Sequence, residues 1–228
     1  MKMAVLGTGM VGRALAGRLT ALGHEVVIGT RDVKQTLMRT ERGTMELPPY
    51  AEWQRANPDV RLVPFSEAGA HGELIVNATA GAVSLATLKM VGAANLAGKV
   101  IVDIALPLDF SQGMPPQFLV ATTDSLGEQI QCAFPKARVV KTLNTMFCKV
   151  MIEPARLPGR HNVFVAGNDA DAKKIVKSML REFGWSEEAI IDLGGIRAAR
   201  ATEMYMELYF TLVGVLDTFD FNIAVVRA

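Results

Sequence analysis

The chain has 228 residues, half of them hydrophobic, and a formal net charge of +1, enough for one sizeable core and too neutral to point to nucleic acid or an anionic membrane. Two cysteines, Cys132 and Cys148, and three scattered histidines, His24, His71 and His161, form neither a disulfide framework nor a metal-ligand spacing. No uninterrupted apolar stretch reaches the roughly 18 residues of a membrane span, and the N-terminus enters a strand pattern directly, leaving no room for a signal peptide; the expectation is a cytoplasmic protein with no metal, nucleic-acid or membrane partner.

The first predicted unit is strand, glycine turn, helix, strand. Met3–Leu6 is a short apolar strand, followed at once by Gly7-Thr8-Gly9-Met10-Val11-Gly12. Helix-period residues run from Val11 through Ala14, Leu15, Leu19 and Leu22 until Gly23, and Glu25–Ile28 is the next strand. In this context the glycine pattern reads as a dinucleotide fingerprint. Gly7 permits the sharp turn, Gly9 lets the backbone approach a pyrophosphate, and Gly12 lets helix pack closely on strand. The amides of Thr8, Met10 and Val11 belong to the same anion-facing turn at the helix start.

The end of the second strand selects the dinucleotide. An NAD site places an acid about 20 residues past the fingerprint, whereas here Thr30 stands 18 residues past Gly12 and is followed by Arg31. A guanidinium grips a 2′-phosphate through charge-assisted bonds worth roughly 1.5–3 kcal/mol each, so even one implies at least about tenfold preference for NADP(H). Lys34 adds charge, and Asp32 is placed either to pair with Arg31 or to lie near the ribose.

Further along, Val33–Thr40 reads as a short helix, Arg42–Pro49 as a loop and Tyr50–Ala56 as a helical turn or two. Val60–Val63 is a third strand, Ser66 caps a short helix, and Leu74–Val76 is a fourth strand. Asn77, Ala78, Thr79, Ala80 and Gly81 then sit at a strand's C-terminal end, where open α/β sheets bind ligands. Ser84–Val91 is helical and Val100–Ile104 a fifth strand; Leu106–Pro116 is proline-rich and irregular, a candidate site wall. Ser125–Ala133 reads as a helix, Val139–Leu143 as a strand with Asn144–Val150 following its end, Asn162–Ala166 as a strand, and Asp169–Phe183 as an amphipathic helix with Asp169 near its cap. Ile190–Leu193 is a strand, Ile196–Thr218 a helix apolar around much of its circumference, and Phe219–Val226 a closing strand. The alternation predicts an α/β fold, a Rossmann-type doubly wound, mainly parallel sheet, with a nucleotide-binding domain over residues 1–155 and a small C-terminal α/β extension over 156–228 for packing and dimerisation. The apolar last helix predicts a homodimer.

These residues resemble the family of NADP oxidoreductases that use coenzyme F-420 (F420), a deazaflavin. The resemblance rests on Gly7–Gly12, Gly23–Arg31, Val140–Thr145, Phe164–Lys173 and Asp192–Gly195, with Ala199-Arg200 and Glu203. The same pattern is similar to the cytosolic reductase domain of the six-transmembrane epithelial antigen of prostate metalloreductases, which pass electrons from NADPH to a flavin. The resemblance implies hydride transfer between NADP(H) and a tricyclic acceptor, either F420 or FMN/FAD. It implies that Thr8, Gly9, Thr30 and Arg31 hold NADP, that Ala78, Thr79 and Ala80 lie along the nicotinamide half, and that Asn144 is near the carboxamide.

Direct hydride transfer needs ring stacking and water exclusion more than acid–base groups, so no catalytic side chain is expected. Cys148 reads as a buried inert thiol, and Met204 and Met206 as packing residues. Asn144 alternatively bonds its own loop. An NADP(H)-binding sensor or scaffold without turnover is a second reading. A third is a β-hydroxyacid-type dehydrogenase, a group whose long all-helical domain supplies a catalytic lysine near an asparagine. Here Asn144 and Lys149 are five apart, and only about 80 residues follow, strands included.

Overall fold

The computed structural model describes residues 1–120 and 122–227. β1 (Lys2–Leu6) leads through the glycine turn into α1 (Met10–Ala21) and β2 (Glu25–Thr30). Two short helices, α2 (Val33–Met38) and α3 (Tyr50–Ala56), precede β3 (Arg61–Pro64), α4 (Phe65–His71) and β4 (Leu74–Asn77). Next come α5 (Gly81–Val91), α6 (Ala93–Leu96), β5 (Val100–Asp103) and a small ribbon of β6 (Leu108–Asp109) with β7 (Gln117–Phe118). The chain continues through α7 (Leu126–Ala133), β8 (Arg138–Thr142), α8 (Cys148–Ile152), β9 (Val163–Gly167), α9 (Ala170–Glu182), β10 (Ile190–Asp192) and α10 (Ala199–Leu216).

Eight strands form one sheet in the order β10-β9-β8-β5-β4-β1-β2-β3. From β3 to β8 every neighbouring pair is parallel, and the chain order within that block, 3-2-1-4-5-6, is the doubly wound dinucleotide-binding arrangement. The topological switch lies between β1 and β4. β9 then runs antiparallel to β8, and β10 is parallel to β9. The parallel strands read as continuous apolar runs because both faces are covered. On one face α1, α8 and α9 contribute Leu15, Leu19, Val150, Val176 and Leu180; on the other α4, α5 and α7 contribute Ala68, Leu88, Val91 and Ile130.

Several expectations are corrected. α4 is capped at Pro64, so Ser66 lies inside the helix, not at its cap. The segment after Pro107 is less irregular than its prolines suggest, since Leu108 and Asp109 pair with Phe118 and Gln117. Phe219–Val226 forms no strand. Instead it is pinned by scattered contacts: Asn162 donates to the Ile223 carbonyl at 2.9 Å, the Phe221 ring stacks on Tyr209 at 4.8 Å, and Arg156 pairs with Asp220 at 2.7 Å. Met206 packs inside, whereas Met204 is exposed along with Leu208, Val215 and Leu216 on the outer face of α10. No helix among the described residues is long and apolar enough to cross a membrane.

Candidate functional site

The glycine turn separates into locked and open positions. Gly7 has φ +115°, and a Cβ there would lie 2.6 Å from the Ala78 carbonyl oxygen. A Cβ on Gly12 would lie 2.1 Å from the Gly7 carbonyl oxygen, while one on Gly9 would meet nothing within 4 Å. Thus Gly7 and Gly12 shape the turn, and Gly9 faces open space at the start of α1, whose N-terminus has no side-chain cap. Uncapped first-turn amides beside an open backbone fit a pyrophosphate. Met10 and Val11 turn their side chains onto the core, leaving only backbone for a ligand, and Thr8 is half-buried. Arg13, one turn into α1, escaped notice in the sequence because it reads as an ordinary helical surface residue. Its guanidinium is buried, donates from Nε to the Thr8 carbonyl at 2.7 Å and to the Pro48 carbonyl, and lies 5.2 Å from the centre of the Tyr50 ring. It therefore ties the fingerprint turn to the residue 42–49 loop.

At the end of β2 Asp32 has a partner other than Arg31. Its carboxylate accepts from the Gln35 amide at 2.8 Å as the cap of α2, and no ion pair joins it to Arg31 among the described residues. Arg31 and Lys34 are both exposed. Thr30 is buried, its hydroxyl 2.8 Å from that of Thr36, which in turn donates to the Asp32 carbonyl at 2.7 Å. The threonine pair shapes the bend that brings Arg31 out.

Beneath the opposite half of the edge runs a buried polar ladder. Asn77, Asp103 and Lys141 are register partners on β4, β5 and β8. The Asn77 amide donates to Ser84 Oγ at 2.7 Å and to Asp103 Oδ1 at 2.8 Å, and accepts from the Thr79 hydroxyl at 2.8 Å. Lys141 Nζ lies 2.9 Å from Asp103 Oδ2 and 2.8 Å from Glu203 Oε1 of α10, with all three side chains buried, and it also donates to the Ala105 carbonyl. Burial alone would lower the Lys141 pKa, but the two carboxylates outweigh it and hold the ammonium above its ordinary value. Glu203 additionally accepts from the Leu126 and Gly127 amides at the start of α7, at 2.8 and 3.1 Å. A lysine and an aspartate inside apolar strand runs were the sequence signal for this network. Glu203 gave no such signal, since one acid in a helix is commonplace.

Asn77 is thus fully committed inside the protein, while Ala78 and Thr79 are half-buried and Ala80 is exposed above it. The Ala78 amide donates to the Leu6 carbonyl at 3.0 Å, which joins this loop to the fingerprint turn. Past the end of β8, Leu143 takes a left-handed φ of +61°. Among the described residues, both amide atoms of Asn144 and the Thr145 hydroxyl are buried without a partner, an arrangement native proteins keep only where a partner is missing or strain is useful. Asn144 does not bond its own loop. Nearby Cys148 is buried, and burial pushes its thiol up to about 11, which leaves it inert as a nucleophile at neutral pH. His24 and His161 have structural partners, Glu182 at 2.7 Å and the Pro154 carbonyl at 3.0 Å.

A doubly wound sheet, a glycine turn open only at Gly9 and an exposed Arg31 past the end of β2 are compatible with an NADP-dependent oxidoreductase. Comparison with known proteins agrees. Residues 2–107 match the family described as NADP oxidoreductase coenzyme F420-dependent. A crystal structure from Arthrobacter sp. FB24, provisionally described as an F420-dependent NADP-reductase, is 53% identical with a TM-score of 0.93 and full coverage of both chains. The F420-dependent NADP reductase of Methanocaldococcus jannaschii is 27% identical over 93% of this chain and 92% of its own. Metalloreductase STEAP3 of Rattus norvegicus is 27% identical over 89% of this chain, which spans only 36% of that protein. The chain belongs to the F420-dependent NADP oxidoreductase family.

Proposed function

We propose that the protein transfers hydride between NADP(H) and coenzyme F420, in the cytoplasm and as a homodimer. The observation that carries the NADP(H) half is Arg31, exposed at the end of β2 while the neighbouring Asp32 is spent on capping α2. Arg31 and Lys34 take the 2′-phosphate, with Thr30 shaping the bend. The turn Gly7, Thr8, Gly9, Met10, Val11 and Gly12 takes the pyrophosphate through its backbone. Ala78, Thr79 and Ala80, set by Asn77 beneath them, line the nicotinamide half, with Asn144 toward the carboxamide. The F420 half is supported by the family match and by relatives that carry that activity in their names.

No side chain needs to act as acid or base. When bound, the reduced nicotinamide would supply the hydride with both electrons to the acceptor ring. What the protein contributes is alignment of the two rings and exclusion of water. Residues 156–228 serve as the packing and dimerising extension, presenting Met204, Leu208, Val215 and Leu216 to a second copy. FMN or FAD is the alternative acceptor, implied by the sequence resemblance to the metalloreductases and not by the comparison with known proteins. Anaerobic NADPH oxidation with F420, FMN and FAD in parallel tests the proposal. Turnover with F420 alone is the expected result, and turnover with a flavin alone overturns the acceptor assignment. Tight NADPH binding without oxidation by any of them replaces the enzyme with a sensor.

A further inference from the structure

We propose that Lys141 is a positioning residue for the nicotinamide half of the site, holding the loops after β4 and β8 in one geometry and tying them to α10. The inference rests on the NADP(H) reading above.

The ladder reaches from the surface loop to a distant helix without a break. Thr79 donates to Asn77, Asn77 to Asp103, and Lys141 joins Asp103 to Glu203, which holds the first amides of α7. The Lys141 ammonium has three protons and three acceptors: Asp103 Oδ2, Glu203 Oε1 and the Ala105 carbonyl. It is therefore saturated and fixed in direction, with its side chain 0% exposed. Burying one ammonium among two carboxylates is costly, and apolar residues of similar volume stabilise a core at least as well. A network of this kind gives a specified geometry instead. What it specifies is visible at each end. Asn77 is the last residue of β4, immediately before Ala78 and Thr79. Lys141 is followed by Thr142, whose hydroxyl donates to the Phe164 carbonyl at 2.6 Å, and then by left-handed Leu143 and unpartnered Asn144. The loop after β4 reaches the fingerprint turn through the Ala78 amide on the Leu6 carbonyl, but among the described residues nothing in the network touches Arg31 or Lys34, so the 2′-phosphate end is built independently of it.

That independence supplies the test. Wild type, Lys141→Met and Asn77→Ala would each be titrated with NADPH and with adenosine 2′,5′-bisphosphate, which carries the 2′-phosphate and adenosine but no nicotinamide. Lys141→Met is expected to weaken NADPH about tenfold or more while leaving the bisphosphate within about twofold. Asn77→Ala breaks the same ladder at its loop end without stranding a charge. It is expected to show the same split, and it decides the question if Lys141→Met does not fold. An equal loss for both ligands, or no loss for NADPH in the folded variants, overturns the positioning role. Failure of the wild type to bind either ligand overturns the NADP(H) reading itself, and this inference with it.

Discussion

Three glycines in one turn have three different tolerances, which makes them separable by substitution. Gly9→Ala adds a methyl group into open space at an ordinary negative φ of −79°, so the variant should melt at the wild-type temperature. In a calorimetric titration it should nonetheless lose most NADPH affinity, because the methyl fills the approach to the pyrophosphate. Gly12→Ala would put the same methyl 2.1 Å from a carbonyl oxygen and should instead lower the melting temperature sharply. If Gly9→Ala binds NADPH normally, the turn does not hold a pyrophosphate. Arg31→Ala should raise the KM for NADPH about tenfold or more and leave NADH use nearly unchanged, since one charge-assisted bond to a 2′-phosphate is worth that much; equal loss with both cofactors removes the phosphate role. Glycine, arginine and the missing acid are legible in the sequence because each acts through its own backbone or charge. Arg13 reaches Pro48 and Lys141 reaches Glu203, partners tens of residues away that no local pattern identifies.

Among the elements, α7 shows how local and distant signals combine. Ser125 caps it by accepting from the Glu128 amide at 3.1 Å while donating to the Glu128 carboxylate at 2.8 Å, a reciprocal pair readable from S-x-x-E. Arg200 from α10 then takes both carboxylate oxygens at 2.7 Å, which only the folded chain reveals. The Arg200 hydrogen bonds hold the Glu128 carboxyl below its ordinary value, against the opposing effect of partial burial. A depressed folded value means the stabilisation is present above the unfolded carboxyl pKa of about 4.3 and is lost as pH falls through the folded one. The difference in melting temperature between wild type and Arg200→Met should therefore shrink as the pH is lowered through this range; a pH-independent difference would mean the arginine acts by packing alone. Ser125→Ala should cost about 1 kcal/mol in denaturant unfolding. Helices such as α9, with its Asp169 cap and buried Ala172, Val176, Met179 and Leu180, follow from periodicity. The last segment fails that approach because apolar alternation in Phe219–Val226 reflects side chains anchored one at a time onto Tyr209, Phe147 and Met146, not ladder pairing.

For the molecule as a whole, the exposed apolar face of α10 carries the expectation of self-association. Leu208 is 52% exposed, so Leu208→Glu adds a charge without disturbing the core. It should convert a dimer to a monomer in sedimentation equilibrium while preserving the circular dichroism spectrum; an unchanged assembly state would put the dimer contact elsewhere. The order of the parallel strands was within reach of the sequence, since strand–helix alternation and the right-handed crossover leave few alternatives. The direction of β9 was not, because nothing local distinguishes a strand entering beside β8 from the top or the bottom.

That reversal has a practical side. Because β9 runs against β8, its first residues stand next to the outgoing end of β8, and Asn162 there binds the backbone of Ile223 and Val225. Ile223 and Val225 accordingly lie toward the rim that carries the loops after β4 and β8, whereas Met1 enters β1 at the opposite rim. On the function proposed above, a fluorophore attached near Val225 would stand on the same rim as the proposed nicotinamide loops, and one attached near Met1 would stand on the other.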